Sequence, residues 1–369
     1  MLLSIRLAVT THVPANTLFF GIIETTNLKS FLIFILVSCY ATCVAQQQLY
    51  VTPTGVTSAT GSSWGQGLNL DEALKIAVPG SQLWLMEGTY TPDPEMGRKT
   101  SFILPAGVEI YGGFNGTETS LAERQPDTYS VLSGEIGQLE STADNAYTVV
   151  VMKSDGQNVT ILDGLHVTAG NGRNFQEGLT IGNAGGGLYI MASGKALSSH
   201  MISNCIFEDN TAHNGGAVLV DSGRPSFVNC VFKNNKADFN GGAVYNKGIA
   251  SLASPIFRDC IFEENSSNSG AGMTNNGSDG EASPLILDCD FINNTSLMNG
   301  AAIYNIFDDN GKAQTIIEGC SFVGNDSILG DDVSDNGVSK KTAASEKSSS
   351  GGNLRPRAIA RSTVKRVKP

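Results

Sequence analysis

Cys230-Val231-Phe232-Lys233-Asn234-Asn235 is one of five copies of the same six-residue phrase. The others are Cys205-Ile206-Phe207-Glu208-Asp209-Asn210, Cys260-Ile261-Phe262-Glu263-Glu264-Asn265, Cys289-Asp290-Phe291-Ile292-Asn293-Asn294 and Cys320-Ser321-Phe322-Val323-Gly324-Asn325. Successive cysteines lie 25, 30, 29 and 31 residues apart. After each phrase comes a short polar stretch, then a patch of small residues ending in an apolar one. These patches are Gly215-Gly216-Ala217-Val218, Gly241-Gly242-Ala243-Val244, Gly270-Ala271-Gly272-Met273, Gly300-Ala301-Ala302-Ile303 and Gly330-Asp331-Asp332-Val333. An earlier patch, Gly185-Gly186-Gly187-Leu188, heads the series.

A period of this length, repeated five times, marks a repeat architecture. Cys and Phe are two residues apart, so on a strand they share one face. The Asn three residues after Phe falls where the strand ends, and Asn tolerates left-handed turn geometry. The small-residue patch then opens the next strand, where the backbone must turn closely. A unit with three short strands and no helix cannot bury its apolar face alone, but stacked units can. Stacking places Phe on Phe and Cys on Cys inside, with Asn on Asn at the turn, where amides bond along the ladder. The fold class expected is therefore all-β: a right-handed parallel β-helix over residues 46–334, with clear repeats at about 183–333. A short N-terminal capping helix and a disordered basic C-terminal tail, 335–369, complete it.

These phrases and patches resemble the polymorphic outer-membrane-protein repeat of bacterial surface proteins, with its Gly-Gly-Ala-Ile and Phe-x-x-Asn elements. Upstream, Gly88-Thr89-Tyr90, Val108-Glu109-Ile110-Tyr111-Gly112-Gly113-Phe114 and Leu162-Asp163-Gly164-Leu165 resemble the leading segment of Bacteroidetes-type β-helix proteins, whose fold is pectate-lyase-like. The resemblance implies surface exposure and, in several members, adhesion. Many relatives carry a C-terminal outer-membrane barrel or sorting domain. Here the repeats are followed by a Ser-, Lys- and Arg-rich tail of 35 residues, which puts the export route in doubt.

Near the start, Lys29 and Ser30 precede the apolar run Phe31-Leu32-Ile33-Phe34-Ile35-Leu36-Val37. The run falls short of the ~20 residues that span a bilayer. With small residues at Cys43 and Ala45 it reads as a signal peptide, 29–45, cut between Ala45 and Gln46. A membrane anchor or a buried strand is the plainer alternative. Leu36-Val37-Ser38-Cys39 is similar to a lipobox, so lipidation of Cys39 is a second route to the cell surface. Residues 1–28 sit awkwardly before this signal, and translation is expected to begin near Leu28. Asn69-Leu70-Asp71-Glu72-Ala73-Leu74-Lys75-Ile76-Ala77 reads as an amphipathic helix capped by Asn69 and stopped by Pro79-Gly80. Such a helix would cover the open end of the solenoid. Leu83–Met86 follows as the first clear strand, with others at Phe102–Leu104, Val108–Tyr111, Tyr147–Met152 and Val159–Leu162.

The net charge of −11 is uneven. From Lys340 onward there are nine Lys or Arg and one acidic residue, Glu346, which leaves −19 for residues 1–339. An acidic body repels nucleic acid and anionic lipid, so neither is an expected partner of the folded part. Seven cysteines divide into Cys39 and Cys43 in the signal and five in the ladder. Export favours disulfides, and stacked cysteines ~4.8 Å apart are close enough for one. Their parallel Cβ vectors suit the bridge poorly, however, and five is odd. Buried reduced thiols are the expectation. No Cys-x-x-Cys or His cluster marks a metal site.

A catalytic set is equally hard to find. Asp308-Asp309 lies in a loop beside Asn310-Gly311, and Asp331-Asp332 replaces the small residues of the last patch. Neighbours on a strand face opposite ways, so neither pair makes an acid-base dyad. His166, His200 and His213 stand isolated in sequence, and Asp163 before Gly164 reads as a turn residue. No Ca²⁺ loop of regular spacing appears. No catalytic, cofactor-binding or metal-ligating residue is assigned, and no cofactor is expected. The sequence therefore points to an exported cell-surface or extracellular module, non-catalytic and adhesin-like, with glycans or host surface proteins as partners and no membrane-spanning segment in the mature chain. A structural or truncated surface component is the first alternative. A polysaccharide lyase or glycoside hydrolase on the same fold is the second, and its motivation is analogy of fold.

Overall fold

The computed structural model describes residues 47–340 apart from 57, 126–127, 140, 174–184, 192–198, 330 and 337. The signal segment 29–45 with Cys39 and Cys43, the start near Leu28, and the tail from residue 341 lie outside the described residues.

The chain winds as a right-handed parallel β-helix of four sheets. One coil shows the plan: Met201–Ser203 in sheet A, Ile206–Glu208 in sheet B, Thr211–Asn214 in sheet D and Val218–Val220 in sheet C. The next strand, Ser226–Val228, returns to sheet A and pairs in parallel with Met201–Ser203. Sheets A and C have nine strands, B eight and D six. Three strands per coil were expected. The fourth sheet consists of short segments such as Ser266–Ser267 and Thr295–Ser296, whose polar composition carries no apolar alternation for a sequence reading to detect.

The repeat phrase sits at two corners. The residue before each Cys turns left-handed at the A–B corner: Asn204, Asn229, Asp259, Asp288 and Gly319 have φ between 51° and 66°. The residue before each Asn does so at the B–D corner: Asp209, Asn234, Glu264, Asn293 and Gly324 have φ between 52° and 66°. Asn, Asp and Gly suit this region, while Glu264 adopts it at a cost. The repeated Asn was expected to take the turn itself. Instead it lies inside the solenoid one residue later, with Asn210, Asn235, Asn265 and Asn294 at most 1% exposed. The small-residue patches form a third corner, where Gly215, Gly241, Gly270 and Gly300 are left-handed. The strand of sheet C starts at the apolar residue that follows, as at Val218 and Val244.

Inside, Phe207, Phe232, Phe262, Phe291 and Phe322 stack at centroid separations of 5.3, 4.7, 4.6 and 5.0 Å. A second column from sheet A, Ile202, Phe227, Phe257, Ile286 and Ile317, runs beside it. Phe227 and Phe257 stack at 4.8 Å and meet the first column edge to face. Cys205, Cys230, Cys260, Cys289 and Cys320 form a third column of buried free thiols.

The helix Leu70–Ile76 forms where the sequence placed it. The Asn69 side chain accepts from the Glu72 N–H, and Leu70, Ala73 and Leu74 are buried. It packs against Gln48–Val51 and Phe102–Leu104, terminal strands of sheets A and C, so it covers the first coil. The strand Gln48–Val51 precedes the helix and is earlier than the first strand expected. At the other end the fold runs past residue 334. Val338–Lys340 doubles back antiparallel on Val333–Asp335.

Candidate functional site

Between strands Glu109–Phe114 and Ser130–Ser133 the chain leaves the coil and folds over the A–B corner. Its carboxylates accept main-chain hydrogen bonds from within the excursion. Glu118 accepts from the N–H groups of Asn115, Gly116 and Thr117 at 2.7 to 3.0 Å. Burial opposes ionisation of Glu118, but those amides outweigh it and hold the carboxyl below its ordinary range. Glu123 likewise binds Thr119 and Ser120, and Trp64 donates to the Glu118 carbonyl at 3.0 Å.

Arg124 projects from this wall. Its Nε donates to the Leu121 carbonyl at 3.3 Å and its Nη1 to the Gly112 carbonyl at 3.2 Å. Nη1 also lies 2.6 Å from Asp163 Oδ1. The guanidinium sits 5.4 Å from the Tyr111 ring centroid and 5.7 Å from that of Phe114, a cation–π arrangement. Asp163 ends the strand Ile161–Asp163. Its Oδ2 accepts from Ser203 Oγ at 2.5 Å and from Asn204 Nδ2 at 2.7 Å. Asn204 Oδ1 in turn accepts from Asn229 Nδ2 at 2.8 Å. A continuous polar relay thus runs from the wall, through Asp163, onto the corner residues of the next two coils.

Wall and corner enclose a cleft of about 280 Å³. Gln125, Thr128 and Tyr129 line one side, Asn204 and Asn229 the floor, and Ile206 and Val231 the apolar strip beside it. Ile261 continues that strip in register. Among the described residues, Arg124 and Asp163 are the only charged ones of the lining, and they oppose each other. Cys205 also borders the cleft, but burial pushes its thiol up to about 12, so the nucleophilic thiolate is suppressed.

Asp163 therefore does more than turn the chain. It links three coils through Arg124, Ser203 and Asn204. Sequence reasoning missed Arg124 altogether, because it comes from an irregular excursion 39 residues before Asp163 with no repeat to flag it. It also missed a buried amide column in sheet C. Asn246 donates to Asn275 at 2.7 Å, Asn275 to Asn305 at 2.8 Å, and Asn305 to Asp335 at 2.8 Å. The recurrence of Asn two residues into that strand, in Val244-Tyr245-Asn246 and Ile303-Tyr304-Asn305, was the available signal.

The histidines are less isolated than the sequence suggested. His166 Nε2 lies 3.3 Å from Glu208 Oε2, and His213 Nδ1 lies 2.9 Å from Asp238 Oδ2. Asp238 also pairs with Arg173 at 2.8 Å. These partners are distant in sequence and meet through coil stacking. His200 is buried, and its Nδ1 accepts from the Thr160 N–H at 3.2 Å. Asp308 is a turn carboxylate accepting from the Asp279 and Asn310 N–H groups. Asp332 lies at the last coil, where burial raises its carboxyl. Neither aspartate pair converges on the cleft. Among the described residues no three His, Cys, Asp or Glu side chains gather as a metal site, and no helix is long and apolar enough to cross a membrane.

A family model described as the right handed beta helix region matches residues 144–340. No curated protein matches the sequence. Among solved structures, pectate lyase Pel9A is similar with a TM-score of 0.43 at 14% identity, covering 74% of this chain and 78% of that one. A pectin methylesterase from Aspergillus niger is similar with a TM-score of 0.35 at 13% identity, covering 80% of this chain and 90% of that one.

Proposed function

Since the chain belongs to the right-handed beta helix family, we propose that it is an exported, non-catalytic carbohydrate-binding module of the bacterial surface-repeat type, which grips a neutral glycan along the A–B corner. The observation that carries this reading is the cleft under Arg124, where a hydrogen-bonded wall, polar floor and aliphatic strip meet. Such a mix of an apolar surface with a few convergent hydrogen-bonding groups suits a sugar ring, which has an apolar face and polar edges. A polymer lying along the axis meets equivalent groups every ~4.8 Å.

Charge selects the class of glycan. Arg124 and Asp163 cancel, and the other polar lining groups among the described residues are neutral. Farther along the corner the row becomes Asp259 and Asp288, on a body whose sequence is strongly acidic. A uronate polymer would be repelled there. Binding is favoured over catalysis because both oxygens of Asp163 are already engaged, by Arg124 on one side and by Ser203 and Asn204 on the other. Among the described residues that leaves no carboxyl group of the cleft lining poised as a general acid or base.

The test is calorimetric titration of the full mature chain with neutral gluco- and xylo-oligosaccharides and with oligogalacturonates, each followed by product analysis. Neutral chains are expected to bind and emerge intact, while Arg124→Ala and Asn229→Ala weaken binding. Shortened or unsaturated products would establish the second reading, a polysaccharide lyase or hydrolase, for which the presence of the Asp163 carboxylate in the cleft lining is the supporting feature. Absence of binding to every sugar would end both. Mass spectrometry of the mature N-terminus separates export after cleavage before Gln46 from lipidation at Cys39.

A further inference from the structure

Between strands Ser130–Ser133 and Val150–Lys153 the chain makes an irregular turn. Its base is closed by the Ala146 N–H, which donates to the Gly134 carbonyl at 2.8 Å. Just inside that closure stand two carboxylates, Glu135 and Asp144, whose charges repel one another. Asp144 Oδ2 accepts from the Gln138 N–H at 2.5 Å, and a Cβ at Gly137 would collide with that oxygen. Two amides join them. Asn145 donates from Nδ2 to the Ala169 carbonyl at 2.8 Å. Asn171 donates its main-chain N–H to the Ala146 carbonyl at 2.8 Å and its Nδ2 to the Thr142 carbonyl at 2.6 Å, so its side chain reaches into the turn. Each of these four side chains keeps one oxygen in reserve. Glu135 Oε1, Asp144 Oδ1, Asn145 Oδ1 and Asn171 Oδ1 are shielded from solvent, and among the described residues no hydrogen-bond donor reaches them. Asn145 and Asn171 are only 2% and 8% exposed. A buried acceptor without a donor is destabilising, so four at one turn call for a common positive partner. Arg98 is not that partner: its Nε and Nη2 donate to the main-chain carbonyls of Asn145 and Asn171 at 2.8 and 2.9 Å.

We propose that this turn is a calcium site, with Glu135, Asp144, Asn145 and Asn171 as its side-chain ligands. Carboxylate and amide oxygens are the donors that Ca²⁺ takes, and its flexible coordination suits oxygens presented by an irregular turn. One ion offsets the repulsion of the two carboxylates and satisfies both amides at once. It also ties the turn to Asn171–Gly172, the terminal strand of sheet D. None of the four ligands lines the cleft under Arg124. The ion is therefore a structural brace, independent of sugar recognition.

Calorimetric titration of calcium chloride into the EDTA-treated full mature chain tests this. One ion is expected to bind at or below ~1 mM, the range of extracellular calcium modules. Glu135→Gln and Asp144→Asn are each expected to weaken it at least tenfold, while Asp308→Asn, at a separate turn, leaves it unchanged. The unaltered protein supplies a second readout, which decides alone if either variant fails to fold. Leu139 lies in the same turn and is 79% exposed, and calcium is expected to slow chymotryptic cleavage there at least tenfold. Absence of calcium uptake overturns the proposal. Uptake of equal affinity in folded Glu135→Gln and Asp144→Asn, or uptake that leaves cleavage at Leu139 unchanged, also overturns it, since the ion then sits elsewhere on the acidic body.

Discussion

Asn235 and Asn265 lie one coil apart and are joined twice: the backbone N–H and the Nδ2 of Asn235 both donate to Oδ1 of Asn265, at 3.0 and 3.1 Å. The same Nδ2 reaches the other way to the Phe207 carbonyl at 2.9 Å. Each interior Asn therefore ties its coil to the one before and the one after. The pattern repeats at Asn210, Asn265 and Asn294. In a dry interior, such a column stabilises the fold only while every member is satisfied.

Replacing Asn265 with Ala leaves the Asn235 backbone N–H without its acceptor, takes one of two acceptors from Asn235 Nδ2 and removes the Nδ2 donor of the Phe232 carbonyl, while Asn294 Oδ1 keeps the backbone N–H of residue 265. The expected loss is about 3 kcal/mol, since each buried group left unpaired costs ~1–3 kcal/mol. Asn325→Ala, at the partly exposed last coil, should cost less because water reaches the site. Urea denaturation of the two variants checks the order. Equal losses would show that burial does not set the energy of this column.

The contrast between these columns explains what the sequence made legible. Phe and Cys ladders were readable because a side chain that faces the core must recur at each coil, and Phe262 or Cys260 has few substitutes. The number of sheets was harder to read, since Ser266–Ser267 and Thr295–Ser296 pair through backbone and leave no apolar trace. The place of the repeated Asn was misjudged for a related reason. Two adjacent positions, such as Asn234 and Asn235, are both Asn, and only coordinates separate the residue that turns from the residue that points inward. The cleft was nearly invisible, because Arg124 belongs to a unique excursion whose contacts with Asp163 depend on three-dimensional closure.

The thiol column should be inert. Burial pushes the Cys205 thiol up to about 12 and Cys260 well above its ordinary value. Thiols also donate to main-chain carbonyls of the preceding coil, Cys230 to Ile202 and Cys260 to Phe227, both at 3.5 Å. A protonated thiol is the form the fold favours. This contribution is therefore complete below the unfolded pKa near 9 and is lost as pH climbs from there towards 12. At pH 8 the five ladder cysteines are expected to resist iodoacetamide until the protein unfolds, as read by peptide mass. The melting temperature should fall steeply above pH 9. Rapid labelling of Cys260 in native buffer would contradict both.

His200 produces the opposite limb. Burial holds its pKa down to about 4 from 6.5, with Asp155 opposing weakly. The fold therefore keeps the ring neutral, with Nδ1 accepting the Thr160 N–H. An unfolded chain takes up the proton near 6.5. The stabilisation is thus present above that pH and lost as pH falls towards 4. A shift of this size corresponds to about 3 kcal/mol. His200→Asn retains an acceptor oxygen while removing the titration, so the decline in melting temperature between pH 6.5 and 4 should flatten. An unchanged acid limb would assign that decline to carboxylates elsewhere.

Arg124 and Asp163 should prove strongly coupled, and the coupling separates their structural role from ligand binding. Their side chains are 22% and 12% exposed, which places the pair between surface and interior and keeps its worth modest. Arg124→Ala leaves the Asp163 carboxylate with only Ser203 and Asn204, and Asp163→Asn leaves the guanidinium over Tyr111 and Phe114 without its anion. Each single change is expected to cost about 2 kcal/mol, while the double variant costs less than their sum by about 1 kcal/mol or more. Sugar binding should follow a different rule. Asp163→Asn keeps Arg124 and the cleft wall, so it is expected to retain affinity for neutral oligosaccharides, whereas both variants lacking Arg124 lose it even at temperatures where they remain folded. Denaturation and calorimetry on the same four proteins test this together. Affinity that simply tracks stability across the set would reduce Arg124 to a brace for the excursion and move the binding face elsewhere on the solenoid.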